Sequence, residues 1–469
     1  MKRALLLPLL LAGCATAVPD SAPVTASPPA WYHPAGGAVP PSEWWTRRLE
    51  DPALARLVAA ALAGSPDLAA AAARIDQARA GLRLTEAERM PLLSGSASVT
   101  YNRTSTGEFG FGGGGDGPAV AIDRERILTR AGIEGSWDAD LFGRLAADEK
   151  AARARLSAAG FDAAAVRLAL VTDVARNYVA GRAAAAREAI ARDNVAAAEA
   201  TLAVTREKAR AGLVAGIDTV RGEALLAEAA ATIAPIEAEQ AARIAALTTL
   251  TGLPAAEVAP LVAPPDVPRF GAPQAGIPSD LLLRRPDIAA ALARIAAADA
   301  DTAAAVAGRY PRLSITAVLG LVAAALGDFF SADAIGATVG PSLPGPLLDF
   351  VYNCSCAGAA RARTAEAVAT YRGVVLRAFG EVEASLAAVD ARERQRVALV
   401  RQVEAARETA QIARLQYRAG LTDFLGALEA ERALNRARDR LAAVEAEAAD
   451  AEIVLFRAIG GDFGAAPQP

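Results

Sequence analysis

The sequence predicts a mainly α protein with a small β part: internally duplicated long α-helical hairpins that carry four amphipathic strands. Three observations support this. Blocks from the first half recur in the second at nearly constant offsets, a 67-residue stretch runs without proline at helical spacing, and four short stretches alternate apolar and polar residues. The 469 residues are 53% hydrophobic and 22% charged, enough to bury a large core and to exclude disorder over most of the chain. Basic side chains number 49 against 53 acidic ones, which leaves no basic footprint, so no nucleic-acid partner is expected. The single histidine, His33, and the three cysteines, Cys14, Cys354 and Cys356, lack zinc-ligand spacing. There is no Gly-rich phosphate loop and no nucleophile elbow, so neither an enzyme nor a bound metal or cofactor is expected.

In chain order, Lys2 and Arg3 precede the apolar run Ala4 to Leu11, and residues 1–13 read as a secretory signal. Leu11-Ala12-Gly13-Cys14 resembles the bacterial lipobox, which implies a covalent lipid on Cys14 as the first mature residue. Ala15 follows where aspartate would retain the protein at the inner membrane, which implies sorting to the outer membrane. Residues 14–42 form a lipidated, proline-rich tether. The first repeat, 43–254, holds strands over about 92–102 and 126–141 and long helices over 145–211 and 217–250. A connector, 255–277, leads into the second repeat, 278–461, with strands over about 312–321 and 335–343 and helices over 359–419 and 425–459. Residues 462–469 are a tail.

The repeats are tied by matched blocks. Ser65-Pro66-Asp67-Leu68 matches Arg285-Pro286-Asp287-Ile288, and Pro91-Leu92-Leu93-Ser94 matches Pro311-Arg312-Leu313-Ser314, both at an offset of 220. Arg210-Ala211-Gly212-Leu213 matches Arg418-Ala419-Gly420-Leu421 at 208, so the first copy carries 12 extra residues between Pro91 and Trp137, around the glycine-rich loop Gly107 to Gly117. Pro66-Asp67 and Pro286-Asp287 start helices, proline at the first position and an acid on the helix dipole. Ser65 suits the N-cap and Arg285 does not; Arg284 and Arg285 are expected to pair with acids. The 145–211 helix would be about 100 Å long. Pro235 is expected to kink or interrupt the returning helix, and Gly212 and Gly420 end the two long ones.

Leu93, Ala97, Val99 and Tyr101 alternate with Ser94, Ser96, Ser98 and Thr100, and Ile133, Trp137 and Leu141 oppose Arg130, Glu134, Asp138 and Asp140. Strands of this kind fit a transmembrane barrel or a sheet half-covered by helices. No run reaches the roughly 18–20 apolar residues of a membrane-spanning helix, so any crossing would be made of strands. Four strands cannot close a barrel, which needs at least about eight, so several chains would have to contribute.

The lipobox, the duplicated strand and long-helix pattern, Leu281-Leu282-Leu283-Arg284-Arg285-Pro286-Asp287-Ile288 and the paired Arg-Ala-Gly-Leu turns together resemble the TolC-like outer-membrane efflux proteins, in particular the NodT/OprM-type lipoprotein branch. The resemblance covers roughly residues 43 to 461. It implies a homotrimer in which each chain gives four strands to a 12-stranded outer-membrane β-barrel standing on an α-helical periplasmic tunnel. It also implies a passive exit duct for small molecules, such as drugs or solvents, in a tripartite efflux system. The partners would be a periplasmic adaptor (membrane fusion protein), an inner-membrane RND-type transporter and outer-membrane lipid. By the same resemblance Gly212, Leu213, Val214, Ala215, Tyr417, Arg418, Gly420 and Leu421 would form adaptor-binding tips. Asp218, Tyr417, Asp423 and Glu429 would hold the tunnel end closed.

The sequence departs from the family pattern at Val351-Tyr352-Asn353-Cys354-Ser355-Cys356, where relatives continue with glycine and basic residues and the first copy reads Leu141-Phe142-Gly143-Arg144. No role is assigned to the cysteines. Gly426 stands where relatives often carry an acid, which argues against a double acidic ring. The competing expectation is a lipid-anchored periplasmic coiled-coil scaffold or adaptor whose strands form an ordinary sheet.

Overall fold

The computed structural model describes residues 28–33, 51–103, 125–271, 275–276, 278–323, 328–345 and 350–461. The signal, Cys14, most of the tether, the Gly107 to Gly117 loop, residues 346–349 and the tail lie outside the described residues. The protein is mainly α with one small antiparallel sheet. The first repeat comprises α1 (Pro52–Gly64), α2 (Pro66–Ala87), β1 (Leu92–Arg103), β2 (Glu125–Asp138), α3 (Arg144–Arg210), α4 (Gly216–Ala231) and α5 (Ile233–Thr251). After α6 (Ala255–Val262) come α7 (Pro278–Arg284), α8 (Pro286–Ala307), β3 (Ser314–Ala323), β4 (Ile335–Ser342), α9 (Phe350–Arg418) and α10 (Phe424–Ala458). Among the described residues no single helix is long and apolar enough to cross a membrane. The bent pair α1 and α2 passes on composition, but Leu54, Leu57, Val58 and Ala61 of α1 are buried in protein.

Local chemistry places the boundaries. Asp51 caps α1 with one carboxylate oxygen, accepting from Ala53 N at 2.9 Å, and with the other accepts the Tyr178 hydroxyl at 2.5 Å. Pro66 and Pro286 open α2 and α8. The returning helix of the first repeat breaks at Thr232, because the Pro235 ring excludes the carbonyl of Ala231. Its counterpart α10 has no proline and runs 35 residues unbroken.

β3 lies two residues later than expected, at Ser314–Ala323, and two boundaries differ by more. β2 ends at Asp138, and Leu141 lies in the turn beyond it. There Asp140, at φ 39°, turns its carboxylate onto the first N–H groups of α3, Leu145 at 3.0 Å and Ala146 at 2.8 Å. At the other boundary α9 starts at Phe350, nine residues before the expected 359, and takes in the departing segment. Val351 to Cys356 contain neither proline nor glycine, and the Ser355 hydroxyl bonds Val351 O at 2.8 Å along the helix. Cys354 and Cys356 are free thiols, about 200° apart around the helix, and cannot pair with each other.

The described residues form two compact units, each drawing on both repeats: those within 76–156 and 293–369, and those within 28–75, 157–292 and 370–461. In the second, Leu54 and Leu57 pack with Val174 and Tyr178 of α3, Leu247 of α5, Val258 and Val262 of α6, and Ile453 and Phe456 of α10. Each fully buried aliphatic side chain there contributes about 1.5–3 kcal/mol. The first unit holds the sheet, in the order β1-β2-β3-β4.

Arg285 is more than the weak cap its position suggested. Its buried guanidinium donates to Asp287 at 2.7 Å, to Glu381 of α9 at 2.6 Å and to Ala458 O of α10 at 3.0 Å. Burial would raise the Asp287 carboxyl, but the Arg285 bonds and charge and the Ile288 N–H outweigh it and hold it below its ordinary value. Asp287 therefore contributes stability that is present above pH 3.8, its ordinary value, and is lost as the pH falls through the depressed one. Arg285→Ala is expected to cost roughly 2–3 kcal/mol in denaturant unfolding, through a buried network, against under about 0.5 kcal/mol for Arg79→Ala at an exposed pair.

Candidate functional site

Two regions stand out as surfaces built for something outside the chain: the sheet, and the two turns that end the long helices.

In the sheet, side chains directly opposite one another share a face. Leu93, Gly135, Ala317 and Val339 form one such row, and Gly95, Ile133, Leu319 and Ala337 the next. Trp137, Ile315 and Pro341 extend this apolar face, whose charged residues, Arg103 and Glu125, sit opposite each other at the far end of β1 and β2. The other face carries Ser94, Glu134, Val318 and Thr338 in one row and Ser98, Arg130 and Val322 in another. The apolar face is uncovered: Leu93 is 72% exposed, Leu319 57% and Val339 74%. Arg130 and Glu134 are exposed on the opposite side. Among the described residues helices therefore leave most of both faces uncovered, and β1 and β4 end the sheet with unpaired edges.

A row of small residues crosses the polar face: Ser96, Gly132, Gly320 and Gly336. A Cβ at Gly132 would stand 2.9 Å from Leu319 O, and one at Gly320 would stand 2.9 Å from Ala131 O. The backbones of β2 and β3 close up on this face, so the sheet curls with its polar side concave and its apolar side convex.

The helix ends repeat one geometry. After α3, Leu213 N bonds Lys208 O at 2.8 Å and Gly212 N bonds Ala209 O at 3.0 Å, with Gly212 at φ 71°. After α9, Leu421 N bonds Gln416 O at 2.8 Å and Gly420 N bonds Tyr417 O at 3.2 Å, with Gly420 at φ 75°. Both are left-handed terminations that satisfy the last carbonyls and turn the next side chain outward. Leu213 and Leu421 are 72% and 78% exposed, and Ile217 and Leu425, equivalent at the offset of 208, are exposed beside them. Val214 is half-buried, Ala215 precedes α4 without a side-chain cap, and Arg418 is exposed.

Tyr417 lies inside, 4% exposed, with its ring edge-on to Phe424 at 5.7 Å. Its hydroxyl is 3.1 Å from Thr205 Oγ1, and Lys208 Nζ sits 4.1 Å over its ring and donates to its carbonyl. Thr205, Lys208 and Phe424 were not singled out from sequence. Of the acids considered with Tyr417, Asp423 caps α10 by accepting from Gly426 N at 3.0 Å, and Asp218 pairs with Arg221 on its own helix at 3.4 Å. Glu429 is exposed. Gly426 suits that cap, since a Cβ there would press on Asp423 Oδ1 and Thr422 Oγ1, both at 3.3 Å. Among the described residues no group of His, Cys, Asp or Glu could hold a metal ion.

A model of the outer membrane efflux protein family matches residues 57–253 and 277–461, the two repeats with the connector left out. The chain belongs to the outer membrane efflux protein family. The pyoverdine export outer membrane protein OpmQ of Pseudomonas putida is 30% identical over 464 residues, covering 98% of this chain and 97% of the relative. The solvent efflux pump outer membrane protein SrpC of Pseudomonas putida is 29% identical over 88% of this chain and 86% of its own. The outer-membrane channel OprN superposes with a TM-score of 0.84 at 32% identity, covering 94% of this chain and 98% of that one. As an outer membrane efflux protein this chain resides in the outer membrane, and its uncovered apolar sheet face is the part that suits lipid.

Proposed function

We propose that the protein is the outer-membrane exit duct of a tripartite efflux system, a homotrimer whose three sheets close into one 12-stranded barrel above a helical periplasmic tunnel. The observation that carries this reading is the sheet: four strands, a convex face that is apolar through its middle with Arg103 and Glu125 at one end, a polar concave face, and two unpaired edges. Edges of that kind are tolerated in lipid only when the barrel is closed, and three copies of four strands reach the required number. A lipid-anchored scaffold without a barrel would leave both faces and both edges without purpose.

The repeats support the same assembly. α8 seats against α3 through Arg155 and Asp301, at 2.7 Å, and against α9 through Thr302 and Thr364, at 3.1 Å, and buries Ile288, Ile295, Ala290, Ala291, Ala297, Ala300 and Ala304. α2, its counterpart in the first repeat, buries only Ala71. The equivalent seat for α2 lies between its own α3 and the α9 of another copy. Quasi-equivalent packing thus extends from within the chain to between chains.

In this reading Cys14 carries the lipid, and the duct has no catalytic step. Gly212, Leu213, Val214 and Ala215 with Tyr417, Arg418, Gly420 and Leu421 form the ends that meet the periplasmic adaptor, itself driven by an inner-membrane RND-type transporter. Relatives bear the names of pyoverdine export and solvent efflux, and a small-molecule cargo chosen by the pump fits both. The test is the double variant Leu213→Asp, Leu421→Asp. Cross-linking to the adaptor should fall at least tenfold with the trimer intact; unchanged cross-linking would exclude these turns as the docking ends.

Tyr417, with Asp218, Asp423 and Glu429, belongs to the proposed closure of the tunnel end. Tyr417→Phe removes the bond to Thr205, whose hydroxyl keeps its bond to Thr201 O at 2.9 Å, so no buried donor is orphaned. At about 1 kcal/mol per copy, three copies together would shift a closed state toward open by roughly a hundredfold. Single-channel conductance in planar bilayers checks this, and an unchanged open probability would remove Tyr417 from the closure.

A further inference from the structure

A short stretch of the N-terminal tether is held on α9 and the connector. The Trp31 indole N–H donates to Gly276 O of the connector at 2.9 Å, and its ring meets Phe379 of α9 edge-on at 6.1 Å. One turn further along the same face of α9, Glu383 accepts from Tyr32 N at 2.6 Å and from His33 N at 3.4 Å. Its carboxylate also lies 3.1 Å from His33 Nδ1. Burial pushes the Glu383 carboxyl up, but the bonds from Tyr32 and His33 outweigh it and hold the group below its ordinary value. The Tyr32 side chain is 90% exposed, so its backbone is what is gripped. An indole bond, an aromatic contact and a carboxylate serving two consecutive amides make a specific seat for three residues of a proline-rich segment.

We propose that Trp31, Tyr32 and His33 form a clasp that fastens the tether to α9 and the connector, shortening the link between the lipid on Cys14 and the folded body. This rests on the reading of Cys14 as lipidated. Trp31 stands 17 positions after Cys14, whereas Asp51, where α1 begins, stands 37 after it. Fully extended, these spans reach about 60 Å and about 130 Å. Effective concentration falls roughly as the −3/2 power of linker length, so the shorter link raises that of the body at the membrane about threefold. The clasp would thus favour meeting of lipid-held chains before the barrel forms.

Hydrogen–deuterium exchange on the full, detergent-extracted chain tests this, comparing wild type with Glu383→Ala, Trp31→Ala and Cys14→Ser, while intact mass reports lipid on Cys14 separately. The amide of Tyr32, and less strongly that of His33, should exchange at least tenfold more slowly in wild type than in either clasp variant. In Trp31→Ala the amides of α9 around Glu383 should be unchanged, which separates loss of the clasp from loss of fold. Cys14→Ser should keep the protection. Equal exchange of Tyr32 in wild type and Glu383→Ala would overturn the clasp whether or not Cys14 carries lipid. Protection together with an unmodified Cys14 would overturn the shortened lipid link.

Discussion

Leu319→Arg is expected to abolish assembly into the outer membrane, whereas Val318→Arg, one position away, leaves it in place. Leu319 lies mid-sheet on the convex apolar face, flanked by Ile133 and Ala337. An arginine facing lipid at mid-depth costs about 2–4 kcal/mol in a barrel, and in a trimer every copy pays it. Val318 points to the opposite face, directly across from Glu134, where an arginine finds a carboxylate in a polar setting. The heat-resistant trimer band on unheated gels of outer-membrane fractions measures both. Equal tolerance of the two variants would mean that lipid does not cover the apolar face.

Gly320→Val is expected to reduce the same trimer at least tenfold, and Gly340→Val to leave it near wild type. Both glycines lie on the concave side. A side chain at 320 begins 2.9 Å from Ala131 O and 3.2 Å from Gly132 Cα, backbone atoms that cannot move without parting β2 from β3; at 340 nothing lies within 4 Å. Overpacking of this kind costs about 1–3 kcal/mol per copy and acts against the curl that closure needs. A Gly320→Val trimer of normal yield would show that the curvature is set elsewhere.

The sequence carried much of this because periodicity and repetition are local signals. Strand faces could be read from alternation at Leu93 to Tyr101, and the helix ends from Gly212 and Gly420, since each follows from neighbours along the chain. What escaped depends on pairing across the chain. The glycine row exists only once the register sets Gly132 beside Gly320. Arg285 looked like a poor cap because Glu381 and Ala458, which receive it, lie on other helices. Tyr417 stood out, but Thr205 and Lys208 on α3 did not, since the first copy has Ala209 at the equivalent place and no aromatic to mark the contact. Leu141 continued an alternation past the end of β2 because Asp140, turned back to cap α3, ends the strand by a bond that alternation does not show. His33 lay hidden in a proline-rich stretch whose composition suggests a plain linker, and Glu383, far along the chain, gives it a place.

The central claim is that three chains share one barrel, and the mass of the membrane-extracted protein tests it most directly. Light scattering with the detergent contribution subtracted should give three chain masses, with Cys14→Ser still requiring detergent because the sheet, not the lipid, holds the protein in the membrane. A single chain mass, with Cys14→Ser soluble in water, would contradict the shared barrel.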